Sequence, residues 1–147
     1  MKKLYGVVVP IVTPLTQEDA IDVTSLKRLA DHCIDSGMQA IYPCGTTGEM
    51  MYLSVEERRL VAETVVRHAA GRVPVFVHVG AWNLRDTVEL AKHAAEIGAD
   101  GIAVVTPAFF SVRDQGLVDY FTTVAKSVPQ DFPVYLYAIP QCAGNDI

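Results

Sequence analysis

The feature that most constrains this 147-residue chain is a regular alternation of short apolar runs with amphipathic helical stretches. Residues 7–12 are nearly all apolar, as in a strand covered on both faces. Leu26, Leu29, Ala30, Cys33 and Ile34 then recur at helical spacing, and Gly37 sits where a C-cap glycine belongs. Residues 40–44 make the next strand. Ser54 and Glu57 form a capping box that opens a helix to about His68, with Gly71 just beyond. Residues 74–79 give a third strand. Asn83 caps a third helix that buries Leu90, Ala91, Ala94 and Ile97 and ends at Gly98. Residues 101–105 form a fourth strand. Leu117, Tyr120, Phe121, Val124, Ala125 and Val128 mark a fourth helix, and residues 134–137 a fifth strand.

The order is strand-helix four times and then one more strand, at about 30 residues per unit. It predicts a parallel sheet with right-handed crossovers. Gly37-x-x-Ala40-Ile41 is echoed by Gly98-x-x-Gly101-Ile102 two units later, in keeping with a repeated module. No linker, low-complexity tract or charge run divides the chain, so residues 1–147 read as part of one domain. Two α/β architectures fit. One is an open doubly wound sheet. The other is a (β/α)8 barrel of which this chain supplies about the first four and a half units. The first strand-to-helix loop lacks a G-x-G-x-x-G pattern, so a dinucleotide fold has no specific support.

The net charge of −5 opposes binding to phosphate backbones and anionic lipid, so neither nucleic acid nor membrane is an expected partner. No apolar run approaches the roughly 20 residues that span a bilayer. Met1-Lys2-Lys3 ahead of residues 4–12 mimics a signal peptide, but Pro10 interrupts the run and a buried first strand is the expected reading. Three cysteines, Cys33, Cys44 and Cys142, are an odd count at irregular spacing. That argues against a disulfide framework or a zinc site, and for reduced thiols in a cytoplasmic protein.

Two motifs carry chemistry. Cys44-Gly45-Thr46-Thr47-Gly48-Glu49 follows the second strand directly, at the end of a parallel sheet where α/β enzymes build their sites. Its glycines free the backbone, and its adjacent threonines offer hydroxyl and N–H donors suited to a carboxylate. Taken alone, such a segment is more often just a turn. Tyr135-Leu136-Tyr137-Ala138-Ile139-Pro140 ends the fifth strand. Tyr135 and Tyr137 share one face, either the lumen or the helix layer. A phenol there can donate and accept a proton, or it can be a packed aromatic.

Together, Gly45-Thr46-Thr47-Gly48-Glu49, Thr106-Pro107 and Tyr135-Leu136-Tyr137-x-Ile139-Pro140 resemble the dihydrodipicolinate synthase / N-acetylneuraminate lyase family. Ile11-Val12-Thr13-Pro14 and Gly98-Ala99-Asp100-Gly101 fit as well. The resemblance covers the whole chain but only about the first half of a family member, which favours the barrel. It implies a carbon–carbon lyase or aldolase that forms a Schiff base between a lysine and pyruvate or another 2-oxo acid, without cofactor or metal. It implies that Gly45, Thr46 and Thr47 bind the 2-oxo acid, with the two threonines on its carboxylate. Thr46 would also join a proton relay, and Tyr137 would be the proton-shuttling phenol. It implies a homo-oligomer, usually a tetramer.

The sequence departs from the family in three places. The Schiff-base lysine belongs to the sixth strand, beyond Ile147. Lys2, Lys3, Lys27, Lys92 and Lys126 lie at the terminus or in helices, so this chain alone is expected to be inactive. Phe109 stands where many members carry a tyrosine that reaches a neighbouring subunit, and suits an aromatic interface plug. Cys142 stands where dihydrodipicolinate synthases carry an arginine, which a thiol cannot replace in a bidentate contact. The last two departures favour a sialic acid lyase or a 2-keto-3-deoxy sugar acid aldolase. The competing expectation is a non-catalytic or truncated half barrel that binds a 2-oxo acid or only associates with partner chains. Four further residues have plainer expectations: His78, which could face the site, as a satisfied core or rim histidine, Trp82 shaping a pocket or packing, Glu49 capping or bracing its loop, and Cys44 as a buried thiol.

Overall fold

The structure, a computed structural model, describes residues 5–147. Met1, Lys2, Lys3 and Leu4, with the readings placed on them, lie outside the described residues. Five strands, β1 (Val8–Pro10), β2 (Ala40–Tyr42), β3 (Phe76–His78), β4 (Gly101–Val105) and β5 (Val134–Tyr137), alternate with helices α1 (Val23–Asp35), α2 (Val55–Ala69), α3 (Leu84–Glu96) and α4 (Asp114–Lys126). A single 3₁₀ turn (Met50–Tyr52) and a short α5 (Pro140–Ala143) complete the described elements.

Every strand pairing is parallel, and the spatial order follows the chain order. Between β2 and β3 the ladder narrows to the bridge Ile41–Val75, held by the Ile41 N–H to the Pro74 carbonyl at 3.0 Å and the His78 N–H to the Pro43 carbonyl at 3.1 Å. A doubly wound sheet reverses its strand order at a switch point, whereas a barrel wall never does. The observed order is the barrel's. The wall stays open across these five strands, with β1 and β5 as its edges.

Local chemistry explains where elements begin and end. The Ser54 hydroxyl accepts from the Glu57 N–H at 3.2 Å, and the Glu57 carboxylate accepts from the Ser54 N–H at 2.7 Å, completing the expected capping box. Asn83 and Asp22 cap α3 and α1 in the same way, each accepting from the N–H three residues on. Gly37 and Gly98 follow their helices at φ of +81° and +80°, where a side chain is strained. β1, β2 and β3 are shorter than the apolar runs suggest. Pro10, Pro43 and Pro74 cannot donate to a ladder, and each bounds a strand.

The strands alternate strictly in what they face. Ile41, Val75, Val77, Ile102 and Val104 point outward and pack with Leu26, Ala30, Val61, Val65, Leu90 and Val124 of the helices. Tyr42, Phe76, His78, Tyr135 and Tyr137 point into the lumen as two aromatic tiers. The barrel therefore presents an aliphatic back and an aromatic front.

Candidate active site

The site is built at the C-terminal ends of β2 and β5. After Tyr42 the chain must turn sharply, and Cys44 adopts φ +59° to do so. The Gly45 carbonyl accepts from the Gly48 N–H at 3.0 Å and from the Met50 N–H at 3.4 Å, which closes the turn. A side chain at Gly48 is disfavoured, because a Cβ there would lie 3.1 Å from the Ile11 carbonyl oxygen and 3.2 Å from the Cys44 nitrogen, so the backbone would have to give way. The buried Thr13 hydroxyl donates to the Gly48 carbonyl at 2.8 Å, tying the turn to the end of β1. Thr46 and Thr47 are left exposed at the tip.

Across the lumen, β5 ends at Tyr137, in register with Val105 of β4. Its hydroxyl lies 3.4 Å from the Thr46 Oγ1, although 91 residues separate the two in sequence. Thr47 joins them in lining a lumen chamber of about 300 Å³ that also touches Tyr42 and Tyr135. Gly45 does not line this chamber, and its part is the turn that presents the threonines. A second chamber of about 430 Å³ opens on the other side of Thr46, toward Met50, Trp82 and Cys142.

Beneath the hydroxyls, Tyr42, His78 and Tyr137 pack edge to face, with ring centroids 6.0 to 6.3 Å apart. His78 corrects the expectation of a satisfied histidine: it is 1% exposed and its Nε2 has no hydrogen-bond partner among the described residues, nor has the Tyr42 hydroxyl. Burial, with the Arg58 charge second, holds the His78 imidazole down to about 3, so it is neutral at any ordinary pH. Burial pushes the Tyr42 phenol far up, with Tyr137 adding to the shift and Arg58 opposing it.

Sequence reasoning missed Arg58, which looks like a solvent-facing residue of the first turn of α2. Instead it is 3% exposed, donating to the Gly80 carbonyl at 2.8 Å and to the His78 carbonyl at 2.9 Å. No carboxylate pairs with it in those contacts, and burial lowers its pKa. It fixes the end of β3 beneath the site. Cys44 is 1% exposed and its thiol is pushed up to about 11 by burial, fitting the structural thiol expected. Glu49 is a correction. It stands at φ +55° ahead of the 3₁₀ turn, its side chain makes no capping bond, and it lines the larger chamber instead of bracing the loop. Asn145 was also missed. Its amide donates to the Pro107 and Phe110 carbonyls at 2.7 and 2.8 Å and accepts from the Val112 N–H at 2.8 Å. It thereby holds the β4–α4 loop, in which Phe109 takes φ +78° and stands 80% exposed. Among the described residues, no group of three or more His, Cys, Asp or Glu is placed to hold a metal ion. None of their helices is long and apolar enough to cross a membrane.

A parallel barrel wall with hydroxyls gathered at its C-terminal rim defines the (β/α)8-barrel class of enzyme site. Comparison with known proteins narrows this. The model of the dihydrodipicolinate synthetase family matches residues 3–147, and the chain belongs to that family. It is 42% identical to N-acetylneuraminate lyase of Rattus norvegicus over 149 aligned positions, covering 99% of this chain and 46% of that one. It superposes on dihydrodipicolinate synthase from Aquifex aeolicus with a TM-score of 0.93 at 38% identity, covering 98% of this chain and 48% of the other. It also superposes on YagE of Escherichia coli K12, solved in complex with pyruvate, with a TM-score of 0.92 at 37% identity over 96% and 47% of the two chains. The chain thus spans about half the length of the relatives it matches. Relatives that the chain matches carry the names of lyases and aldolases.

Proposed function

We propose that residues 1–147 are the N-terminal half of one barrel domain in a cytoplasmic homo-oligomer, a tetramer, that makes or breaks a carbon–carbon bond next to a 2-oxo acid such as pyruvate. A lysine amine from the part of the relatives' length that this chain does not span condenses with the ketone, releasing water and leaving an iminium. Loss of a proton from the adjacent carbon gives an enamine. That carbon attacks the carbonyl carbon of the second substrate, whose oxygen takes up a proton, and water then frees the product and the amine. Cleavage is the reverse.

Thr46 and Thr47, presented by the Gly45 turn, hold the acid's carboxylate with hydroxyl and N–H donors. Tyr137 moves the protons that carbinolamine formation and loss require, with Thr46 as its relay partner. The observation that carries this reading is the 3.4 Å approach of the Thr46 and Tyr137 hydroxyls at one rim of the barrel. The pyruvate complex of YagE supports the substrate class. Adding pyruvate and borohydride to the full-length protein that contains this chain, followed by mass spectrometry, tests it. A pyruvate adduct is expected on a lysine outside residues 1–147, and none on this chain alone. A full-length protein that gains no adduct contradicts the reading.

A further inference from the structure

β2 and β3 part at the site, and one side chain fills the gap between them. The His78 N–H donates across to the Pro43 carbonyl at 3.1 Å, while the Val79 N–H turns the other way, to the Ala103 carbonyl of β4 at 2.9 Å. One residue past Pro43, Cys44 takes φ +59° and the chain leaves the ladder to make the turn that carries Thr46 and Thr47. A strand residue aims its N–H and C=O at the same neighbour, so the carbonyls of residues 78 and 80 face the space that the chain after β2 has left. The Arg58 guanidinium occupies that space. Its two terminal nitrogens donate to the Gly80 carbonyl at 2.8 Å and to the His78 carbonyl at 2.9 Å. The main chain of the same residue holds the other side, because the Arg58 carbonyl accepts from the Cys44 thiol at 3.7 Å. Residue 58 thus grips the end of β3 with its side chain and the base of the turn with its backbone. Arg58, Cys44 and His78 are all buried, so elements of this chain already enclose these contacts.

We propose that Arg58 is a positioning residue for the 2-oxo acid site: a wedge between β2 and β3 that sets the angle at which the turn of residues 45–48 departs, and so the place of the Thr46 and Thr47 donors. The proposal rests on the carboxylate-holding role given to those threonines above. Arg58 lines neither chamber at Thr46, so its effect on the acid passes through the turn. The residue type matters. A guanidinium is a flat fork whose fixed donors meet two carbonyls at once, as a neighbouring strand's N–H groups would. An ammonium is a point donor that cannot reproduce the fork, and a thioether donates nothing. Removing the fork leaves two buried carbonyls without partners, which is costly, and the turn moves in toward β3 as they find new ones.

Titrating pyruvate onto the full-length protein that contains this chain, by saturation-transfer NMR, tests the proposal, with circular dichroism to establish that each variant is folded. Arg58→Met is expected to raise the half-saturating pyruvate concentration about tenfold, and Arg58→Lys about threefold. A merely structural role lowers the amount of folded protein and leaves the half-saturating concentration of the folded fraction where it was. If Arg58→Met does not fold, Arg58→Lys decides alone. A folded variant of either kind with the parent's value overturns the proposal, and so does failure of both to fold, which makes Arg58 a determinant of folding and not of the site. Borohydride trapping is run on the same samples. An adduct on the parent with no shift in the variants removes the wedge and leaves the Schiff-base reading standing. The expected shifts with no adduct on the parent do the reverse, and a parent that binds no pyruvate overturns both.

Discussion

The two faces of the same five strands are built from opposite materials. On the helix side, Ile41, Val75, Val77, Ile102 and Val104 sit in an aliphatic layer that leaves almost nothing exposed. On the lumen side, β2, β3 and β5 present three tyrosines, a histidine and a phenylalanine, with two buried polar atoms, Tyr42 Oη and His78 Nε2, lacking partners among the described residues. A strand's period of two lets both coexist without compromise. The helix face carries stability, because removing apolar area from water is its only task. The lumen face gives up some stability, since a polar group buried without a partner is unfavourable, and in exchange it aims hydroxyls and a neutral imidazole at one end of the barrel.

That division predicts different responses to substitution. Ile102→Ala, on the helix face, removes fully buried methyl groups and should cost about 2–5 kcal/mol in chemical denaturation. If Ile102→Ala costs no more than a surface change, the helix face is not the source of stability. His78, on the lumen face, should make stability depend on pH. Its folded pKa of about 3 lies below the ordinary 6.5. The unfolded chain therefore takes up a proton as pH falls below 6.5 while the folded one does not until about 3, so stability is lost over that window. Between pH 7 and pH 5 the parent should lose about 2 kcal/mol more than His78→Gln. Equal pH slopes for the two proteins place the titration elsewhere. Smallest is a control outside both faces: Ser54→Ala, at the α2 capping box, should cost about 1 kcal/mol. Its effect should be independent of pH in the window where His78 acts.

Much of this was legible in the sequence because it is governed locally. The capping box at Ser54 and Glu57, the Asn83 cap and the glycines at 37 and 98 each depend on residues within a turn of themselves, and β4 and β5 fall where their apolar runs place them. The turn at residues 45–49 and the phenol at 137 were legible as motifs. Their approach to 3.4 Å was expected only through the family resemblance, since it depends on a wall that runs across four strands. Arg58 was illegible for a related reason. At the start of a helix, after two glutamates, a guanidinium reads as solvated, and only the position of β3 shows that the carbonyls of residues 78 and 80 take it up. Asn145 is a similar case, because a polar residue just past the short α5 says nothing of a loop 35 residues earlier. The proline-bounded strand ends were predictable in principle and were drawn too long.

The central claim is that the Thr46 and Tyr137 hydroxyls act together on one 2-oxo acid. A double-mutant cycle tests it most directly, with Thr46→Val, Tyr137→Phe and both together, reading the rate of pyruvate adduct formation in the full-length protein. Each single change is expected to slow trapping by about 10²-fold or more, and the double change to slow it little further, as for two members of one proton path. Single effects that multiply in the double variant mean that the two hydroxyls work independently, and that result contradicts the account.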